Sequence, residues 1–276
     1  MKLSKANAGK YAPYGENKKI TKMCIAAHFD DIEFMACHGV MECFGREDEW
    51  FGGVVTTDGA GSPRSGLYAN FTDEDMKKIR ILEQQKAAFV GEYGVQYNLD
   101  YTSAEIKNGD ERAIEDIVNI LKEHRPEVVY THNFADKHDT HCATALRTLE
   151  AIRRLPKEDR PKKLYGCEGW RGLDWLCDED KVLFDLSEHP NMIMSLGALF
   201  DSQIAGGKRY DIATEGRRRS NATNLSSHSV DTAQLMDYAI DMSELINSDK
   251  TPAEFMLSYI DRFKSEVDDR LNRLAK

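Results

Sequence analysis

Short apolar runs alternate with longer stretches of helical periodicity over the first two thirds of the chain, and this rhythm predicts an α/β fold. Residues 23–27 (MCIAA) form an unbroken apolar run of the kind that makes a strand buried on both faces. Ile32, Met35, Ala36, Gly39, Val40, Cys43 and Phe44 follow at i, i+3, i+4, i+7 spacing, which predicts one amphipathic helix with Asp30 or Asp31 at its start. Residues 50–57, 95–99, 128–131, 164–167 and 182–186 read as further strands. Helices are expected over 72–90, stopped by Gly91 and Gly94, over 110–124, ended by Pro126, and over 142–155. The alternation predicts a mostly parallel, doubly wound, Rossmann-like sheet. Beyond Pro190 the pattern is largely helical: 191–203, then a polar, basic link holding Arg217-Arg218-Arg219, then 232–246 and 252–274. The expected organisation is a single domain over 1–276, with an α/β core at 19–190 and a helical part at 191–276.

Charge and composition narrow the partners. Asp and Glu number 47 against 37 Lys and Arg, a net charge of −10, which argues against a nucleic-acid or anionic-membrane surface and favours a small-molecule substrate. The six cysteines include no C-x-x-C pair and read as reduced, mostly buried thiols, pointing to the cytoplasm. The first 19 residues are Lys-rich and polar without the apolar core of a signal peptide, and no run reaches the ~18 apolar residues of a membrane span. The arginine triplet reads as a solvated face. Oligomeric state is barely visible, and a homo-oligomer is a guess that the C-terminal helices allow.

Two polar clusters carry the chemistry. His28-Phe29-Asp30-Asp31-Ile32-Glu33 follows the first strand, and His132 to His141, including Asp136 and His138, follows the fourth. Both lie at the carboxyl ends of strands in one parallel sheet, where open α/β folds bind ligands. Two imidazoles and a carboxylate suit a catalytic zinc that keeps a position open for water, and His28, Asp31 and His141 supply that set. Asp30 is placed to act as general base, His138 to stabilise an oxyanion or protonate a leaving amine, and Asp136 to orient an imidazole from behind. Glu33 is either a first-turn carboxylate favoured by the helix dipole or a support for Asp30. His38 and Cys37 read as packing residues, and His124 and His132 as ordinary residues at a helix end and a strand end.

AHFDDIE resembles the A-H-P-D-D-E signature of the PIG-L (LmbE-like) zinc-dependent N-deacetylases, and Asp136 to His141 resembles their later D-x-H-P-D-H signature. Arg80-Ile81-Leu82-Glu83 is similar to the family's R-x-x-E helix, Arg125-Pro126-Glu127-Val128-Val129 to its R-P-D-x-V strand entry, and Ser202-Gln203 to its late S-Q pair. The resemblance implies metal ligands at His28, Asp31 and His141, a general base at Asp30, an oxyanion or acid histidine at His138, and substrate contacts at Arg80 and Asp100. It implies removal of an N-acetyl group from an N-acetylglucosamine-type sugar or conjugate, with Zn2+ as cofactor and Fe2+ or Co2+ as alternatives. Two positions depart from the pattern. Phe29 replaces proline and is expected to add bulk at the pocket edge, and Thr140 replaces the aspartate before the last histidine, removing a charge that would raise a neighbouring imidazole's basicity. The competing readings are an amidase of a larger sugar-thiol conjugate, a non-haem Fe(II) enzyme and a catalytically weak carbohydrate-binding protein.

Overall fold

The computed structural model describes residues 2–275. Eight strands, β1 (Gly9–Tyr11), β2 (Ile20–Ala26), β3 (Trp50–Thr57), β4 (Tyr93–Tyr101), β5 (Val128–His132), β6 (Lys163–Cys167), β7 (Val182–Asp185) and β8 (Met236–Asp241), form one sheet in the order β1-β4-β3-β2-β5-β6-β8-β7. The five central strands run parallel; β1 pairs antiparallel with β4 at one edge, β8 pairs antiparallel with β6 at the other, and β7 pairs antiparallel with β8. Ten helices accompany them: α1 (Asp31–Met35), α2 (Cys37–Cys43), α3 (Asp73–Val90), α4 (Ser103–Lys107), α5 (Glu111–His124), α6 (Asp139–Arg154), α7 (Pro190–Ala198), α8 (Asp201–Ile204), α9 (Tyr210–Asn224) and α10 (Pro252–Leu274). The fold is the mostly parallel α/β sheet that the rhythm of the chain predicts.

Strand β2 explains why its sequence shows no polar alternation. Met23 and Ile25 enter one core layer with Ile117, Leu121, Leu149 and Ile152, whereas Cys24 and Ala26 enter the other with Ile32, Val40, Phe51 and Ala87. Both faces are therefore covered, as parallel sheets require. The chain steps outward from β2 to β3 and β4, then crosses back to place β5 on the other side of β2. The direction of winding reverses between β2 and β5, so the crevice beyond their carboxyl ends is the topological switch point.

Several elements differ from expectation. The helix expected from Ile32 to Phe44 is broken at Ala36 (φ −125°, ψ 20°). Arg218 Nη2 donates to the Glu33 and Phe34 carbonyls at 3.1 and 3.3 Å, and Cys37 Sγ donates to the Glu33 carbonyl at 2.8 Å. These side chains satisfy the end of α1 in place of a continuing helix. The 232–246 segment holds strand β8 rather than a helix. Leu235, Ala239, Met242 and Ile246 imitate a helical stripe, but Met236, Tyr238 and Ile240 fill one core layer while Leu235 and Ala239 fill the other, the period of two of a covered strand. The 191–276 part is consequently not purely helical. Strand β1, in the polar leader, pairs with β4, whose Gly94 lies inside the strand rather than stopping a helix.

The arginine triplet sits in α9 instead of a link, where helical geometry sends its three side chains in different directions. Arg219 faces solvent and pairs with Glu215 at 2.7 Å. Arg217 lines a cavity, and Arg218 is buried against Asp237 of β8 at 3.0 Å. Both members of this ion pair are about 95% buried, so removing one leaves an uncompensated charge in the interior. Arg218→Ala is expected to cost about 3–5 kcal/mol. Urea unfolding of the variant measures it, and a loss below about 1 kcal/mol, the scale of a surface pair, would contradict the buried clamp.

Candidate metal centre and active site

Strand β2 delivers Ala27-His28-Phe29-Asp30-Asp31 to the switch point, and β5 delivers the loop from Asn133 to His138, with His141 in the first turn of α6. The two segments meet. His28 Nδ1 lies 3.1 Å from His141 Nε2, and Asp31 Oδ2 lies 3.3 Å from His28 Nδ1 and 3.5 Å from His141 Nε2. Three donors of this type, mutually about 3 Å apart, keep the spacing of ligands around one ion with bonds of ~2.0–2.1 Å. Among the described residues, the His/Asp groups close enough to hold an ion also include His138 and His132. The donor set therefore suits a divalent metal.

His132, expected to be an ordinary strand-end residue, is part of this cluster. Its ring is fully buried, stacks on His141 at 3.9 Å and lies 3.5 Å from Asp31 Oδ2. The Ala27 N–H donates to its Nε2 at 2.9 Å, so that nitrogen carries a lone pair engaged with β2. Burial and the nearby His141 hold its pKa well below the usual imidazole range. His132 thus ties the end of β5 to the end of β2 as a neutral ring.

Asp31 is surrounded by donors: the His28 N–H reaches its Oδ2 at 2.7 Å. Burial opposes its charge, but the imidazoles of His141, His132 and His28 outweigh it and hold the carboxyl far below the ordinary range. Asp30 has the opposite environment. It sits in the left-handed region (φ 90°), and its buried Oδ2 has no hydrogen-bond partner. Burial pushes its pKa up to about 7, against the pull of Arg80 3.4 Å away and with the help of the Asp31 charge. The Asp30 N–H donates to Gln84 Oε1 at 3.3 Å, and Gln84 Nε2 and the Tyr93 hydroxyl both donate to Glu33 Oε1 at 2.7 Å. Burial raises Glu33 to about 8 despite those bonds. Glu33 is completely buried behind Asp30, away from the cavity.

Asp136 stands behind the second histidine. Its Oδ2 lies 3.2 Å from His141 Nδ1 and accepts from the Trp170 N–H at 2.9 Å, while Oδ1 accepts from the His138 N–H at 3.0 Å. Burial lowers His141's pKa, but Asp31 and Asp136 reverse this and raise it. His138 packs its ring on His141 at 4.5 Å and has a buried Nδ1 with no partner. Burial, with the neighbouring His141 and His28, depresses its pKa to about 4, so it is neutral at pH 7. Thr140, buried in the same turn, supplies no carboxylate to these rings.

A cavity of about 350 Å³ opens over this cluster. His28, Asp30, Asp31, His138 and His141 line its floor, with Arg80 in the wall, and the rest of the lining includes the 58–63 loop, Phe34, Trp170, Gln203, Tyr210 and Arg217. Trp170, Tyr210, Glu168 and Arg217 carry no motif in the sequence and enter the site from the loop after β6 and from α9. Arg80 is 1% exposed, donates to the Phe29 carbonyl and leaves Nε and Nη1 without partners. The R-x-x-E and S-Q pairs meet: the Ser202 N–H and hydroxyl donate to Glu83 at 2.7 and 2.6 Å. Two expectations are corrected. Asp100 does not line the cavity; it ends β4 with positive φ (61°), beside Lys77 and Asp58, and Asp58 takes the place at the wall. Phe29 adds no bulk to the pocket edge, because its ring is buried behind the loop against Gly59 and Arg80.

Residues 23–152 match the sequence profile of PIG-L, described as GlcNAc-PI de-N-acetylase. Over this stretch the chain is similar to the PIG-L family. The PIG-L segment ends inside α6, so Trp170, Tyr210 and Arg217 lie beyond it. No match was found among curated proteins. Solved structures of the same fold include N,N'-diacetylchitobiose deacetylase from Pyrococcus horikoshii (TM-score 0.66, 14% identity, covering 85% of this chain and 88% of that one). They also include the 4-carboxy-2-hydroxymuconate hydratase GalB from Pseudomonas putida (0.62, 15%, 81% and 96%). The zinc-inhibited form of teicoplanin deacetylase Orf2 is a third (0.55, 13%, 83% and 99%). At these identities the likeness is one of fold, and the hydratase shows that PIG-L-like architecture alone does not name the reaction.

Gly169 passes so close to the cluster that an added Cβ would lie 2.3 Å from Asp136 Oδ2 and 3.2 Å from His141 Nδ1. Gly169→Ala must therefore displace the carboxylate that supports His141. The expected outcome is a roughly 10–100-fold loss of divalent-metal affinity, read by calorimetric titration with Zn2+. Unchanged affinity would detach Asp136 from the centre.

Proposed function

We propose that this chain is a zinc-dependent hydrolase that removes the acetyl group from an N-acetylglucosamine-type sugar or its conjugate, with His28, Asp31 and His141 as the metal ligands. The observation that carries the reading is the pairing of that donor set with Asp30, which lines the same cavity floor with Arg80 3.4 Å from its Oδ2. When bound there, the ion would act as a Lewis acid toward the amide carbonyl and lower the pKa of water. The cavity volume suits a small molecule rather than a polymer threaded through the fold.

Within the proposal, Asp30 Oδ2 accepts a proton from the attacking water as the new C–O bond forms. Arg80 and Gln84 hold Asp30 in its left-handed conformation, acting as positioning residues. Neutral His138 donates a hydrogen bond to the developing oxyanion. The C–N bond then breaks, acetate forms, and the proton held by Asp30 passes to the leaving amine. Trp170 and Tyr210, whose rings meet edge-on at 5.9 Å, give the outer wall an apolar surface for the sugar face.

The test is acetate release from a panel of N-acetylglucosamine derivatives, with and without chelator, in air and under anaerobic conditions. Chelator-sensitive, oxygen-independent release is expected. Release of a larger acid, a need for oxygen, or sugar binding without turnover would each replace the reading with one of its competitors. Asp30→Ala is expected to keep its metal by elemental analysis and lose at least about 100-fold in turnover, the lower end of general-base contributions. Activity within threefold of the parent chain would remove Asp30 from the role of base.

A further inference from the structure

Leu257, Ile260, Leu271 and Leu274, exposed apolar residues of the last helix, fall on one seam. Leu257, Ile260, Lys264, Val267, Leu271 and Leu274 of α10 follow spacings of three, four, three, four and three, the a/d pattern of a helix pair. The other side of α10 already has its partners. Phe255 and Met256 are buried, Phe263 meets Trp175 edge-on at 6.3 Å, and Asp180 holds Arg262 through two bonds of 2.8 and 2.9 Å. The seam lies to the side of that packed face, with Val267 half-buried at its border: Leu257 is 56% exposed, Ile260 42%, Leu271 62% and Leu274 68%. An apolar stripe about 27 Å long, from 18 residues at ~1.5 Å each, marks an interaction surface.

Charge selects the occupant and its direction. Lys264 stands in the middle of the seam, and neither it nor Asp268 has an ion-pair partner among the described residues. A parallel, in-register pair would set Lys264 against its own copy. An antiparallel pair centred on the seam sets Leu257 opposite Leu274 of the partner subunit and Ile260 opposite Leu271 of the partner subunit. It sets Lys264 opposite Val267 of the partner subunit, which brings Asp268 of the partner subunit beside the ammonium. Two-fold symmetry makes each of these contacts twice.

We propose that α10 is the self-complementary contact of a homodimer, packed antiparallel along residues 257–274, with the Lys264 to Asp268 pairing between subunits fixing the register. The contact lies on the outer face of α10 and uses no residue of the metal cluster, so it stands or falls independently of the reaction.

Light scattering on the full chain, over a concentration series up to about 0.1 mM, is the test. The expected mass is twice 31.3 kDa. Ile260→Asp with Leu271→Asp should return a 31.3 kDa monomer with unchanged circular dichroism. Lys264→Asp should weaken the dimer at least tenfold, and adding Asp268→Lys should restore it. A wild-type monomer at every concentration leaves the seam to a different partner and overturns the proposal, as does a dimer untouched by the Ile260/Leu271 pair. Disulfide capture sets the direction: Leu257→Cys mixed with Leu274→Cys should crosslink, whereas Leu257→Cys crosslinking to itself would overturn the antiparallel arrangement.

Discussion

The structure turns on one carboxylate oxygen. Asp31 Oδ2 accepts the His28 N–H and lies within 3.5 Å of ring nitrogens of His28, His132 and His141. Two of those rings arrive from β5 and α6, and the carboxylate itself arrives from β2. The contact therefore joins the two strands between which the sheet reverses its winding. A buried carboxylate is costly unless it is paired, and the surrounding imidazoles are what permit it there. In return, the carboxylate holds three rings together that would otherwise repel once protonated.

Around that junction, burial sorts three neighbouring acids into different states. Asp31 stays ionised because its imidazole neighbours outweigh desolvation, whereas Asp30 rises to about 7 and Glu33 to about 8 because theirs do not. One segment of sequence thus supplies a ligand-type carboxylate, a carboxylate whose proton is easily moved, and a neutral carboxyl that anchors Gln84 and Tyr93. Environment, rather than residue type, separates their chemistry. The second segment works through Asp136, which links His141 to the Trp170 backbone and so couples the cluster to the outer wall of the cavity. Gly169 is there because nothing larger fits beside that carboxylate.

Much of this is legible in the sequence. Strand β3 and helices α3 and α5 follow from apolar runs and period 3.6 because one dominant contact surface shapes each of them. The convergence of the His28 and His141 segments follows from strand order. What stayed hidden depends on long-range partners. Arg218 reads as a solvated charge until Asp237, 19 residues later, is brought beside it in the core. Strand β8 reads as a helix because Leu235, Ala239, Met242 and Ile246 mimic its period. His132 looks like a strand end because only tertiary packing stacks it on His141. Asp100 rests on resemblance alone, and the local turn at the end of β4 gives the cavity wall to Asp58 instead.

The convergence of two strand ends on one metal ion is the central claim, and the coordination shell of that ion tests it most directly. X-ray absorption at the zinc edge of the loaded, full-length chain should show only nitrogen and oxygen neighbours at about 2.0–2.1 Å, including two imidazoles. Alanine at His28 and at His141 should each remove one imidazole contribution. A sulfur neighbour near 2.3 Å, the distance expected of a cysteine thiolate, or a shell that neither substitution alters, would place the metal elsewhere and contradict the site.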